Sequence, residues 1–322
     1  MTLLEISVAI IVIFGGLWFD LSRHKDNHTV GIKEAALWSA FWVGLSFAFA
    51  GFVWFSRGSE ASILFITGYF LEKALAVDNL FVIEAIFISF GLAAFQFSGI
   101  RHKILYYGII GAIVMRIIFI GLGSYMAGLS DWVLFGFALI ILYTVYIMWM
   151  TNSEDDVDYV NHWAVKFFER FWPVTYNIES EKFFVKQFEK SRISGFDKGL
   201  KPVWHLTPLF LCLIVIEISD IIFAFDSVPT IIAVVNDFYI AFTASIMAVM
   251  GLRSLYFLLS AAKDLLCHLE AAVMIVLVFI AGKIMLSVTG IIHLSPLISL
   301  GIVGVILSLG IISSYIWPEE VE

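Results

Sequence analysis

Two apolar stretches of this chain carry acids where acids are costly. The first, TGYFLEKALAVDNLFVIEAIF (67–87), holds Glu72, Lys73, Asp78, Asn79 and Glu84. The second, LCLIVIEISDIIFAFDSVPTIIAV (211–234), holds Glu217, Asp220, Asp226 and Ser227. An ionised carboxylate at the centre of a bilayer costs about 2.5–3.5 kcal/mol on insertion scales, so a chain keeps one when it is paired or used. Carboxylate, amide and hydroxyl are hard oxygen ligands, which suit Mg²⁺, Ca²⁺ or Mn²⁺ and not Cu⁺. No histidine falls in either stretch, which disfavours a typical Zn²⁺ site. Several carboxylates around one divalent ion neutralise it, and they can carry protons once it leaves. Glu72, Asp78, Asn79, Glu217, Asp220, Asp226 and Ser227 are therefore the expected metal-site residues. The bland alternative is structural ion pairing with Lys73, Arg116 and Arg253. The two arginines read as partners or gates, since a cation site repels them.

The two stretches match each other. A shift of 148 residues places Glu72 on Asp220, Ala76 on Ala224, Asp78 on Asp226 and Asn79 on Ser227. The span after each carries an arginine, Arg116 or Arg253, at a different offset. The chain thus reads as two related three-span units, 61–151 and 205–289, running oppositely through a membrane. Inverted repeats with a midplane site between them are a recurring transporter plan. Residues six apart on a straight helix are rotated by about 240° and separated by about 9 Å. Glu72 and Asp78 converge only where the helix unwinds or bends. In the second stretch Pro229 supplies a cause, because it cannot donate to the carbonyl of Phe225 and clashes with it. Glu217 and Asp220, three apart, share a face.

The elements that must position these residues are membrane helices. Of 322 residues, 61% are hydrophobic and 14% charged, against roughly 25% charged in a soluble domain. So much apolar surface has to face lipid. Nine stretches are long and apolar enough to span: about 3–20, 34–55, 61–90, 103–127, 131–150, 205–235, 239–260, 268–289 and 295–317. The expected fold is an all-α polytopic membrane protein of about nine helices. Two spans (1–60) precede the first unit, and a last span with a tail (290–322) follows the second. With the N-terminus outside, fifteen of the 19 lysines and arginines fall in inner loops and only Arg57 lies outside. The first span lacks a positive leading region and a cleavage site, and reads as an uncleaved anchor. The C-terminus is then cytoplasmic.

A polar loop, 152–204, separates the units. It opens on Glu154, Asp155, Asp156 and Asp158, followed by Trp163, Phe167, Phe168, Phe171 and Trp172 at helical spacing. This is an amphipathic helix, lying either on the membrane face or against the bundle. Asp20 and Glu84, at span ends, read as interfacial acids that attract cations or are simply solvated. A net charge of −8 argues against nucleic acid as a partner. The two cysteines, Cys212 and Cys267, form no metal or disulfide motif. No nucleotide loop and no hydrolase or zinc-protease motif is present, so the chain is not read as an enzyme, and no cofactor is expected.

EKALAVDNLFV (72–82), EISDIIFAFDSVPTIIAV (217–234) and GLRSLYFLL (251–259) resemble the TerC integral membrane family. The overall layout is similar to its Alx-like branch. That resemblance implies Mn²⁺ export across a bacterial inner membrane, with Glu72, Asp78, Asn79, Glu217, Asp220, Asp226 and Ser227 as the motif residues. Mn²⁺ is then cargo, with protons as the expected counter-ion. Two other readings stay open: a metal- or pH-responsive accessory protein that supplies metal to exported proteins, and a Ca²⁺ transporter of the same fold. The oligomeric state is not legible.

Overall fold

The computed structural model describes residues 2–23, 32–92, 97–150, 160, 162–175, 182–189, 201–260, 268–291 and 294–317. A few side chains within its helices, among them those of Asp20, Asp78 and Asp226, lie outside the described set. The acidic stretch 154–158, Cys267 and the tail 318–322 also lie outside it.

The apolar stretches are helical. They form α1 (Leu3–Arg23), α2 (Ile32–Arg57), α3 (Ser59–Ser89), α4 (Ser98–Ala127) and α5 (Asp131–Met150). After the loop come α7 (Pro208–Val235), α8 (Phe238–Val249), α9 (Leu252–Ser260), α10 (Leu269–Val288) and α11 (Pro296–Ile316). Among the described residues five of these are long and apolar enough to cross a membrane, or six if α8 and α9, bent by 42°, make one broken span. The rest fall short for visible reasons. α1 and α5 hold shorter apolar runs, Leu3–Gly16 and Trp132–Tyr143. α3 carries Glu60, Glu72, Lys73, Asp78 and Glu84 along its length. Phe55, Trp149 and Tyr315 are more than four-fifths exposed on the outside of the bundle, where only lipid could cover them.

The expected break at Pro229 is not there: α7 runs unbroken through it. A proline removes one backbone hydrogen bond, and membrane helices tolerate that where neighbouring helices brace the turn. α3 and α4 both pack along α7. α3 is unbroken too, so Glu72 and Asp78 stay on different faces of one helix. The bend falls instead between α8 and α9. There Gly251 has φ +82, and a Cβ on it would lie 2.6 Å from the Trp42 ring. Only glycine supplies both the left-handed backbone and the space.

Packing partners exchange between the two expected units. α3 lies along α8 as α7 lies along α4, while α3 meets α7 and α5 meets α10. These pairings are reciprocal between the units, whereas others are not: α5 packs along α7 far more than α10 packs along α3. Helix starts are capped in the usual way. Ser295 accepts from the Ile298 N–H at 3.4 Å ahead of Pro296, and Asp237 accepts from the Ile240 N–H at 3.0 Å.

The loop holds α6 (Trp163–Phe171) and a ribbon absent from the all-α expectation. Strand β1 (Phe184–Glu189) pairs antiparallel with β2 (Lys201–Leu206), Phe184 opposite Leu206 and Glu189 opposite Lys201. Of the two expected placements of the amphipathic helix, the structure shows packing against the bundle. Ala164 and Val165 are buried and Phe168 meets Phe210 of α7 with ring centres 5.8 Å apart, while Trp163, Phe167 and Phe171 face outward.

Candidate functional site

Glu72 sits mid-way along α3 and is 1% exposed. Arg116 reaches it from α4, donating through Nη1 to Glu72 Oε2. The same nitrogen donates to Oγ of Ser245 on α8, at 2.6 Å. Asp220 of α7 is the third charge in this group, interacting electrostatically with both Arg116 and Glu72. Three helices thus place two carboxylates and one guanidinium in a single electrostatic group, with Glu72 alone at ion-pair distance from Arg116. A buried pair of this kind keeps its charges only because they neutralise each other.

Each member has capacity left over. Glu72 Oε1, Asp220 Oδ2, Ser227 Oγ and Arg116 Nε are buried with no hydrogen-bond partner among the described residues. Unsatisfied buried polar atoms are uncommon, and three of these, on Glu72, Asp220 and Arg116, belong to one charged group, with Ser227 about two turns further along α7. Two of these atoms are carboxylate oxygens and one is a hydroxyl, the donor set expected for a hard cation.

Glu217 precedes Asp220 by less than a turn on α7 and feels its charge. Its carboxylate lies directly against α4, where a Cβ on Gly111 would collide with it. At Gly108 the same addition would make only ordinary contact, 4.0 Å from Glu217 Oε1. Beside this group a small cavity of about 40 Å³ opens between α3, α4, α7 and α9. Its polar lining comes from Asn79, Ser219, Asp220 and Arg253, and the remainder is apolar.

Of the seven residues expected at a metal site, Glu72, Asn79, Glu217, Asp220 and Ser227 are described, and all lie on α3 and α7 where these face each other and α4. The side chains of Asp78 and Asp226 lie outside the described residues. Among the described residues no three His, Cys, Asp or Glu side chains converge as a ready-made metal cage. The bland alternative is met for one pair, Glu72 with Arg116. Lys73 does something else: its Nζ donates to the carbonyl of Ala248 at 3.0 Å, in the last turn of α8 where carbonyls lose their helical partners.

Glu84 is not a simply solvated interfacial acid. Tyr256 of α9 donates to it, and Arg101 of α4 donates to the Tyr256 hydroxyl at 3.0 Å and stands 3.9 Å from Glu84. This network closes the end of the bundle where α3 finishes. The opposite end has its own. Arg57 bonds both carboxylate oxygens of Glu5, at 2.9 and 3.0 Å, and Asp237 at 3.0 Å. Its guanidinium lies 4.7 Å from the centre of the Tyr239 ring, and the Tyr239 hydroxyl donates to the Glu5 carbonyl at 3.1 Å. Sequence reasoning missed both networks. One signal was available, because Arg57 is the lone basic residue on its side and Glu5 is an acid at the mouth of an apolar run.

Comparison with known proteins decides the family. The model of the integral membrane protein TerC family matches residues 57–321. The chain belongs to the TerC family. It is 41% identical over 330 residues to a protein of Serratia marcescens named "Tellurium resistance protein TerC", covering 98% of this chain and 94% of that one. It is 34% identical over 305 residues to "Putative membrane-bound redox modulator Alx" of Escherichia coli K12, covering 92% and 89%. An uncharacterized membrane protein of Myxococcus xanthus is 34% identical over 294 residues, covering 91% and 86%. No solved structure matches. The resemblance read from the acid motifs therefore holds, as does the reading of a multi-pass helical membrane protein.

Proposed function

We propose that this TerC-family protein is a secondary transporter of hard divalent cations, with Mn²⁺ as its cargo, exporting it from the cytoplasm across the bacterial inner membrane. The observation that carries the reading is a pair of buried acids from two matching helices, Glu72 and Asp220, each with an unpartnered oxygen, with Asp220 bordering a cavity and the unpartnered hydroxyl of Ser227 about two turns further along α7. Asp78, Asn79, Asp226 and Glu217 complete the ligand set in this proposal. The exchange of packing partners between the units supports alternating access, in which one unit rocks against the other around the fixed acids. Protons returning on the same carboxylates supply the energy, since the sequence holds no nucleotide loop.

The relatives' names suggest other chemistry. Tellurium resistance by passage of an oxyanion fits poorly, because Glu72, Glu217 and Asp220 would repel it. A redox role would need a reactive group, and Cys212 is fully buried among apolar neighbours on α7.

The test is Mn²⁺ flux into proteoliposomes holding purified protein, beside Asp220→Asn and Asp226→Asn, with Ca²⁺ as competitor. Saturable flux, driven by an imposed pH gradient and lost in both variants, is the expected result. Folded protein that moves no Mn²⁺ under either direction of pH gradient or membrane potential overturns transport in favour of the metal-responsive accessory protein. Flux indifferent to the pH gradient removes the proton coupling alone.

A further inference from the structure

The Arg116 guanidinium stands where a cation site would reject it. Yet it is 3% exposed, held between Glu72 and Ser245 and within the field of Asp220. We propose that Arg116 is a tethered stand-in for the cargo: it fills the acidic site when no ion is bound and is displaced when a divalent ion arrives. This rests on the transport reading above.

The way Arg116 is held supports displacement over permanent clamping. An arginine that serves only to fasten a carboxylate usually meets it with two parallel N–H bonds. Arg57 does so, bonding Glu5 through Nε and Nη2. Arg116 does not: among the described residues Nη1 makes both of its bonds, while its Nε and Glu72 Oε1 have no partner there. The same chain thus contains a forked clamp at its edge and a single-point contact at its centre.

Charge makes the two cations exclusive. One guanidinium offsets one of the two carboxylates, Glu72 and Asp220. A divalent ion between them would offset both, and would sit at repulsive distance from an arginine left in place in a medium where such repulsion is poorly screened. The arginine has somewhere to go. Ala112, one turn earlier on the same face of α4, lines the cavity. Helical side chains lean toward the N-terminus of their helix, which for Arg116 is toward Ala112. With the metal gone, the arginine offsets one carboxylate and a returning proton the other, so the carrier resets without exposing an uncompensated charge to the membrane interior.

Direct competition predicts that weakening the arginine's hold tightens metal binding. The experiment is Mn²⁺ binding to the purified full chain in lipid nanodiscs, read from the free-ion signal in electron paramagnetic resonance. Arg116→Gln should bind about tenfold tighter than wild type, within the range common for coupled sites. Arg116→Lys, which keeps a point charge, should fall between. Ser245→Ala removes one of the arginine's two bonds and leaves every charge in place. It should tighten binding severalfold, and it keeps the test decisive where Arg116→Gln does not fold. In proteoliposomes Arg116→Gln should retain Mn²⁺-for-Mn²⁺ exchange but lose most net flux, because the metal-loaded steps survive while the proton-loaded return now carries one carboxylate that the arginine no longer offsets. Wild-type affinity or weaker in folded Ser245→Ala and Arg116→Gln overturns the stand-in role and leaves transport standing. Wild type that binds no Mn²⁺ removes the transport reading, and the stand-in with it.

Discussion

Helices α3 and α7 carry matching acids at matching spacing, and they use them differently. In α3, Glu72 is sealed in the bundle and holds the guanidinium of Arg116. In α7, Asp220 borders the cavity with one oxygen unpartnered, and Glu217 is pressed against the backbone of α4. The related sequences thus divide the work: α3 provides a neutralised anchor, and α7 provides the acids that meet the cavity. The lesson is that sequence symmetry between units need not mean equivalent sites. A carrier that rocks between two states is expected to be unequal in any one of them.

The largest effect separates these roles by stability. Glu72→Gln leaves Arg116 buried without its hydrogen-bonded counter-charge, and losing one partner of a buried pair costs about 3–5 kcal/mol. Asp220→Asn removes a carboxylate that makes no hydrogen bond through Oδ2, so it should change stability by less than about 1 kcal/mol while removing metal binding. Thermal unfolding of both variants in the same detergent, without metal, checks the contrast. Equal losses would mean that the two helices are equivalent after all.

A second contrast, of intermediate size, lies where α7 touches α4. Gly111→Ala drives a methyl group into the Glu217 carboxylate and should destabilise by about 1–3 kcal/mol, as overpacking does. Gly108→Ala meets Glu217 only at ordinary contact distance and should be neutral, or gain about 0.5–1 kcal/mol from better helix propensity. The double variant Gly111→Ala with Glu217→Ala should recover most of the loss. Failure to recover would place the strain elsewhere on α4.

How much of this was legible in the sequence depends on what each feature leaves behind. A helix in lipid must be apolar over most of its length, so the nine stretches stand out, and the acids within them stand out because they violate that rule. The repeat is visible for the same reason, since Glu72 and Asp78 align with Asp220 and Asp226 against a plain background. What the sequence hides is rotation and bending. Whether Pro229 breaks α7 depends on the bracing by α3 and α4, which leaves no local signal. The true bend rests on Gly251 beside Trp42, two residues more than two hundred positions apart. That Arg116 of α4 takes Glu72 of α3 depends on how the two helices are rotated, which leaves no local mark in the sequence. The ribbon of β1 and β2 went unread because its short strands, FVKQFE and KPVWHL, carry charge, a proline and no sustained alternation.

The smallest predicted difference concerns the far ends of the same two helices. Each is fastened by an arginine from another helix, but in unlike surroundings. Near the end of α3, Glu84 accepts from Tyr256, a side chain only 1% exposed, and Arg101 completes the network. Just past α7, Asp237 takes Arg57 with its side chain 40% exposed and also caps α8. A hydrogen bond to a charged group in a buried setting contributes about 1.5–3 kcal/mol, whereas an exposed ion pair contributes about 0–1 kcal/mol. Tyr256→Phe keeps the ring and removes the donor, so it should lower stability by about 1.5 kcal/mol. Asp237→Asn keeps the cap, since asparagine serves there as well as aspartate, and should lower it by no more than about 1 kcal/mol, with the loss shrinking further in 1 M salt. A salt-insensitive loss at Asp237 as large as that at Tyr256 would mean that both ends are closed with equal strength. The inequality between α3 and α7 would then be confined to the middle of the bundle, at Glu72 and Asp220.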